Sequence, residues 1–381
     1  MQRTLIWDMP TRLFHWTLAA SFAGAWLTSE SDTWLAVHVF LGYLMLGLVV
    51  FRLVWGLVGT HYARFSSFWF SPKDALRYLR QIMAGQAKRH VGHNPTGSVA
   101  IYGLLLLTAV VGLTGWFTLG AEEQQGLAAG WMSLVQGRTF KKLHEAAAMV
   151  MLLLVIGHIA GVVVESILHK ENLARAMVSG TKLADVGAPA AQPRPWVAVL
   201  MGVLMVVFAG WWFMYAWHAP VEAQLGRAEG SISAPHVAFV GAKLPDNALW
   251  SDECGSCHLP FYPALLPSRS WTRMLAEQDR HFGTDLGLDE PTRAALLVFL
   301  KANAAERHLT EAGLKIDNSL SPNAAPLRIT ETPYWLKKHR EITDADWRSP
   351  QVKSKANCDA CHLDALDGTF EDGAMRMPQR D

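Results

Sequence analysis

The sequence predicts an all-α membrane protein: a four-helix transmembrane bundle, a fifth transmembrane helix, and a small loop-rich, mainly helical domain beyond it. Three observations carry this prediction. The chain is 51% hydrophobic with 16 tryptophans among 381 residues, and nearly all of that excess lies before about residue 218. Within that stretch, five segments approach or exceed the roughly 20 apolar residues that cross a bilayer. All four cysteines lie in the polar remainder, in two pentapeptides of one pattern.

The five segments are Pro10–Thr28, Leu35–Val58, Gly97–Leu119, Lys141–Leu168 and Trp196–Trp217. The first has the length of a secretory signal. It lacks a clear small-residue cleavage site and carries His15, so it is expected to be retained. Domain limits follow from this pattern: residues 1–180 as the membrane bundle, 181–229 as a linker holding the fifth span (about 196–217), and 230–381 as the outer domain.

Lys and Arg in short loops set membrane orientation. Arg3 and Arg12 flank the N-terminus, and Arg64, Lys73, Arg77, Arg80, Lys88 and Arg89 follow the second span. Lys170, Arg175, Lys182 and Arg194 follow the fourth. The opposite loops hold Glu30 and Asp32, then Glu122 and Glu123 set against Arg138, Lys141 and Lys142. The expectation is a multi-pass protein of the bacterial inner membrane, N-terminus cytoplasmic, with everything after Trp217 in the periplasm. A formal net charge of +1 gives no electrostatic case for a nucleic-acid partner. No Ser-His-Asp set, phosphate loop or HExxH zinc motif supports a hydrolase or kinase.

The pentapeptides are Cys254-Gly-Ser-Cys257-His258 and Cys358-Asp-Ala-Cys361-His362. Cys-x-x-Cys-His attaches a c-type haem: both thiols bond the porphyrin covalently and the histidine becomes the proximal iron ligand. A four-cysteine zinc site or a redox dithiol would use the thiols, but neither needs a histidine at the fifth position twice. Covalent haem attachment is periplasmic in bacteria, which is where loop charge independently puts this domain.

Ionisable residues in spans are costly and usually face a bundle interior. The histidines among them are His15, His38, His144 and His158. The last two are fourteen residues apart, which at about 100° per residue returns to within about 40° of one face and rises about 21 Å, enough for two stacked haems. Matching depth pairs His38 with His144 on the outer side and His15 with His158 on the inner. Gly42, Gly157 and Gly161 would let a porphyrin approach closely. Arg52 either pairs with a haem propionate or snorkels to the interface. His61, His90, His93 and His169 fall in polar stretches and read as surface histidines.

These residues carry a resemblance. The opening Trp-Asp-Met-Pro-Thr-Arg-Leu-Phe-His15-Trp, Val37-His38 with Gly42, and Lys142-Leu-His144-Glu with His158 resemble the bacterial cytochrome b561 family, over residues 1 to about 180. That family is a four-helix bundle with two bis-histidine b haems, and includes quinone-linked cytochromes and a superoxide oxidase. The resemblance implies iron ligation by His15, His38, His144 and His158. The fifth span and the fused domain depart from its simplest members.

Residues about 230–381 resemble small di-haem cytochrome c modules, on Cys254–His258, Trp271-Thr-Arg-Met, His281-Phe-Gly-Thr-Asp, Arg328-Ile-Thr-Glu-Thr-Pro-Tyr-Trp-Leu-Lys-Lys-His339 and Cys358–His362. The resemblance supplies most of the preference for His281 and His339 as sixth ligands. His236, His308, Met274, Met375 and Met377 are the alternatives, and a thioether would raise the potential. Thr292–Ala304 is the clearest helix, with Pro291 at its start.

The function expected is transmembrane electron transfer between membrane quinone and a soluble periplasmic carrier, through two b and two c haems. The alternatives are superoxide oxidation with electrons passed to quinone, and service as anchor and electron-transfer subunit beside other redox subunits.

Overall fold

A computed structural model describes residues 1–30, 34–123, 126–128, 131–132, 134–217, 244–370 and 374–375. The chain divides into two compact units, Met1–Trp116 with Phe140–Met214, and Phe117–Thr139 with Tyr215–Asp381.

The first unit is built on helices α1 (Met9–Thr28), α2 (Leu35–Val58), α3 (Pro72–Met83), α4 (Pro95–Glu122), α5 (Leu134–Leu168), α6 (Leu173–Ser179) and α7 (Pro195–Trp217). Among the described residues, α2, α4, α5 and α7 are long and apolar enough to cross a membrane. α1 has the length, 20 residues, but Arg12, His15 and its threonines dilute it. Only 6% of the apolar window of α5 is buried by protein, so its outward face needs lipid to cover it.

Asp8 fixes where α1 begins. Its Oδ1 accepts the Thr11 amide at 2.8 Å, and Oδ2 accepts Trp55 Nε1 at 3.1 Å and the Thr60 hydroxyl at 2.6 Å. One N-cap carboxylate thus also ties α1 to the end of α2. Gly24 marks the close approach of the same two helices: a Cβ there would stand 2.8 Å from Leu41. Phe14, Leu48, Val49, Leu105 and Met201 form the core, so α7 packs on the bundle and does not stand apart. Trp212 Nε1 donates to the Ala36 carbonyl (3.2 Å), and Phe40 stacks on Phe208.

Two features go beyond the sequence reading. α3, capped by Ser71 and Asp74, is a short amphipathic helix in what reads as a basic loop. Strands β1 (Gln2–Leu5) and β2 (Thr181–Ala184) pair antiparallel, Gln2 with Ala184 through Leu5 with Thr181. Gly180, at φ +81°, turns the chain into β2 and its carbonyl accepts the amides of Ile6 and Trp7.

The second unit contains α8 (Ala248–Gly255), α9 (Ser268–Ala276), α10 (Glu290–Ala302), α11 (Glu311–Ser319), α12 (Pro333–Lys338) and α13 (Asp344–Trp347), joined by loops and 3₁₀ turns. α10 starts two residues before the position expected from sequence because Asp289 accepts the Thr292 amide (2.8 Å) and caps it. Leu266, Trp271, Leu275, Leu296, Leu300 and Ala304 form one core. Tyr262, Ala264, Leu265 and Ile316 form a second. Trp271 Nε1 donates to the Pro263 and Leu266 carbonyls, pinning α9 over the loop that leads from the first Cys-x-x-Cys-His.

Candidate haem-ligating sites

In the membrane unit, α1 and α5 bring His15 and His158 together with ring centres 6.4 Å apart, and α2 and α5 bring His38 and His144 to 6.1 Å. In the second unit His258 faces His281 at 6.3 Å, and His362 faces His339 at 6.1 Å. A metal-bound imidazole nitrogen lies about 2.0–2.1 Å from its ion, so two imidazoles on opposite sides of one iron set their ring centres about 6.2 Å apart. All four pairs have that separation.

The rings are oriented by backbone oxygens. His38 Nδ1 lies 2.9 Å from the Ala25 carbonyl and His144 Nδ1 2.9 Å from that of Val111, each on a neighbouring helix. His258 Nδ1 lies 2.7 Å from the Leu259 carbonyl, and His339 Nδ1 2.9 Å from that of Trp335. A carbonyl can only accept, so Nδ1 donates and Nε2 keeps its lone pair for a metal. Nδ1 of His15 and of His362 are buried without a partner among the described residues, so no carbonyl there orients these two rings. Burial holds His281, His339 and His362 below the usual imidazole range, the last at about 4, so all three are neutral near pH 7.

There is room for a porphyrin beside the helices. A Cβ added at Gly42, Gly157 or Gly161 meets no atom within 4 Å. Arg52 is 3% exposed and lies over Phe65 at 4.7 Å, with Nη1 buried and unpartnered.

The second thiol site shows the geometry of its motif directly. The His362 and Cys361 amides both bond the Cys358 carbonyl (2.9 and 3.2 Å), forming the turn that sets the two sulfurs before the histidine. Burial pushes the Cys254 and Cys358 thiols up to about 11, the opposite of an activated redox dithiol. Among the described residues, Glu122, Glu123 and Glu311 bring three potential metal-ligand atoms together.

Other sequence candidates fall elsewhere. His308 Nε2 meets Asp317 at 3.2 Å. Met274 packs against the first core. Met375 forms a backbone bridge with His362, whose ring faces His339. His236 and Met377 lie outside the described residues. His93, expected at the surface, packs its ring on Trp7 and Phe68 (4.6 and 4.2 Å).

Sequence reasoning missed the supports. Gly115 leaves room for the His144 ring, and Trp335 stacks on His339 with ring centres 4.2 Å apart. Gly115 carried a weak signal as a small residue in an apolar helix; Trp335 stood in the stretch that resembles the di-haem modules, four residues before His339.

Residues 6–180 match the family model for prokaryotic cytochrome b561, and residues 250–370 match that for dihaem cytochrome c. The chain joins a cytochrome b561 domain to a dihaem cytochrome c domain. A probable Ni/Fe-hydrogenase B-type cytochrome subunit of Cupriavidus necator is 25% identical over 217 residues, 47% of this chain and 87% of that one. A probable Ni/Fe-hydrogenase 1 B-type cytochrome subunit of Escherichia coli is 23% identical over 48% of this chain and 92% of its own length. The dihaem cytochrome c of Rhodobacter sphaeroides is 37% identical over 34% of this chain and all of its own, with a TM-score of 0.30. That of Shewanella baltica is 30% identical over 35% of this chain and 94% of its own, with a TM-score of 0.29. The cytochrome b561 domain binds haem b and the dihaem cytochrome c domain binds haem c. The protein is a multi-pass membrane protein of electron transfer.

Proposed function

We propose that the chain is a four-haem conduit of the bacterial inner membrane, carrying electrons between membrane quinone and a soluble periplasmic carrier. The observation that supports it is one spacing, 6.1–6.4 Å, recurring in four histidine pairs. In this reading His15 with His158 and His38 with His144 serve two b haems. His258 with His281 and His362 with His339 serve two c haems, held covalently by Cys254, Cys257, Cys358 and Cys361. Haem supplies one-electron transfer at iron; the protein positions it and tunes its potential. The carbonyls of Ala25, Val111, Leu259 and Trp335 hold imidazoles in place. Arg52 offers its unsatisfied nitrogen to a propionate. With the Lys- and Arg-rich loops cytoplasmic, the His15–His158 pair is the inner one, and residues 181–229 carry the chain to a periplasmic domain spanning 230–381.

The test is stoichiometry. Four haem irons per chain are expected, two extracted by acidified solvent and two retained covalently. No covalent haem in protein matured in a cytochrome c-competent host would refute the reading.

A second reading has its own support. The relatives named as hydrogenase B-type cytochrome subunits favour a membrane electron-transfer subunit serving a larger oxidoreductase. Oxidation of a quinol analogue by the purified chain alone favours the conduit; activity only with further redox subunits favours the second.

A further inference from the structure

At the inner end of the membrane unit the histidine-bearing stripe of α5 continues into titratable residues that take no part in the four pairs. His158, Glu165 and His169 are spaced so that turns of about 100° per residue return all three to within about 20° of one direction. The His169 amide bonds the Glu165 carbonyl at 3.0 Å, which extends the helix past Leu168. Glu165 is 6% exposed, yet its Oε1 has no hydrogen-bond partner among the described residues, nor has the buried Nε2 of His169. Leaving such atoms unpaired is costly, and two of them one helical turn apart form a place to hold a proton.

Every element packed there brings a charged or titratable group. From α3, buried Tyr78 faces Glu165 and donates to the Lys88 carbonyl at 2.9 Å; burial, then the Glu165 charge and side-chain hydrogen bonding with that carboxylate, pushes its phenol well up. His90, from the loop before α4, packs on Tyr78 with ring centres 5.3 Å apart; burial holds it down and Glu165 draws it up. Lys182 of β2 donates to the His90 carbonyl (3.1 Å) and pairs with Glu171 (3.6 Å). Arg89 clasps Glu171 through two bonds of 3.1 Å. Arg89 and Lys182 therefore set two positive charges against the one negative charge of Glu171. An ionised Glu165 makes the group neutral, and a protonated one leaves it a single positive charge, the charge that offsets an electron added nearby.

We propose that Glu165 and His169 form a redox-linked proton site for the iron between His15 and His158, taking up a proton on its reduction and releasing it on oxidation. The inference rests on the bis-histidine reading of that pair. Seven residues of helix separate His158 from Glu165 by about 10 Å, and at an effective dielectric of about 20 one charge at that distance changes proton affinity about tenfold. Ferric iron gains one electron and the carboxylate gains one proton, forming one O–H bond. The electron comes from a quinol in the membrane, which gives up two electrons and two protons, or from dithionite in the assay.

The full-length protein in detergent is titrated potentiometrically across neutral pH, with infrared difference spectra of reduction. The b component that His158→Ala removes should have a midpoint that falls as pH rises, by about 59 mV in all for a tenfold change in proton affinity and by at most about 30 mV per pH unit. Reduction should also raise the C=O stretch of a protonated carboxylic acid. Glu165→Gln should flatten the slope and delete that band while both b haems stay bound. His169→Gln, which keeps the carboxylate, should lessen the slope. A pH-independent midpoint in the unaltered protein, no carboxylic acid band on reduction, or a slope surviving both substitutions would overturn the proposal. Absence of any b component dependent on His158 would overturn the haem reading instead.

Discussion

Gly115 gives the sharpest check on how a b haem is held. A Cβ at this position of α4 would stand 3.0 Å from His144 Cε1 and 3.1 Å from Nδ1, whereas carbon atoms settle about 3.5–4.0 Å apart. Gly115→Ala thus forces the ring or the helix to yield by about 0.5 Å. The ring has little freedom to do so, because the Val111 carbonyl, one turn earlier on the same helix, holds Nδ1 at 2.9 Å. Metal–ligand distances hold to within about 0.2 Å, and losing the group that orients a ligating histidine typically costs about 10–100-fold in affinity. Gly115→Ala should therefore weaken the His38–His144 haem by about 10–100-fold, or about 1.4–2.7 kcal/mol, and Gly115→Val should remove it. The other b haem and both c haems should be unaffected. Non-covalent haem per chain, measured as the pyridine haemochrome together with a redox titration of the b band, reads the result. Two b haems at full occupancy with unaltered midpoints in Gly115→Val would refute the reasoning. Gly157 supplies the converse: a Cβ there meets no atom within 4 Å, so Gly157→Leu disturbs the protein alone little and lowers b haem occupancy if a porphyrin occupies that face.

Two further outcomes follow from the pairs. With His281 and His339 as sixth ligands, the oxidised c domain should be low-spin without the near-infrared band of methionine-bound haem, and His281→Ala or His339→Ala should each turn one c haem high-spin; a methionine-type band in the unaltered protein would sink this assignment. In the conduit, quinol should reduce b and c bands in connected sequence, with His144→Ala cutting c reduction far more than reduction at the His15–His158 site. In a superoxide oxidase, a chain ending near Gly180 should instead keep full superoxide-to-quinone activity while the c haems of the intact protein stay oxidised under excess quinol.

The sequence made the helices and the histidine pairs legible for different reasons. Spans register because burial in lipid demands about 20 apolar residues in a row, a demand on composition. α1 is where the signal thins: Arg12 and His15 dilute it, and what holds it beside α2 is the close approach at Gly24 and the shared Asp8 cap. The pairing of His38 with His144 and His15 with His158 follows from residue type and depth in the membrane, with helical phase placing His144 and His158 on one face. The β1–β2 pairing was invisible, since four-residue strands lack a periodic signature long enough to read, and it joins residues about 180 apart in the chain.

What remained hidden has a common physical character. Iron ligation restricts the residue to a few types, histidine first among them, but orienting that histidine takes only a carbonyl, which every residue has. Ala25, Val111 and Leu259 are therefore indistinguishable in sequence from neighbours that orient nothing. The same holds for Trp335, whose ring stacks on His339 while its carbonyl accepts the imidazole proton, one residue doing two jobs through groups of which only the ring is visible in sequence. Glu165 and His169 differ from these, because their spacing from His158 was available from the outset. His169 reads as a surface residue because it follows the last apolar turn of α5, and a helix end next to a basic loop normally faces water; Glu165, inside the span, was not singled out. α3, β2 and the Arg89–Glu171–Lys182 group cover that end. The stripe that carries the histidines through the membrane thus keeps its buried character for a further three turns, and there it meets groups that can carry protons.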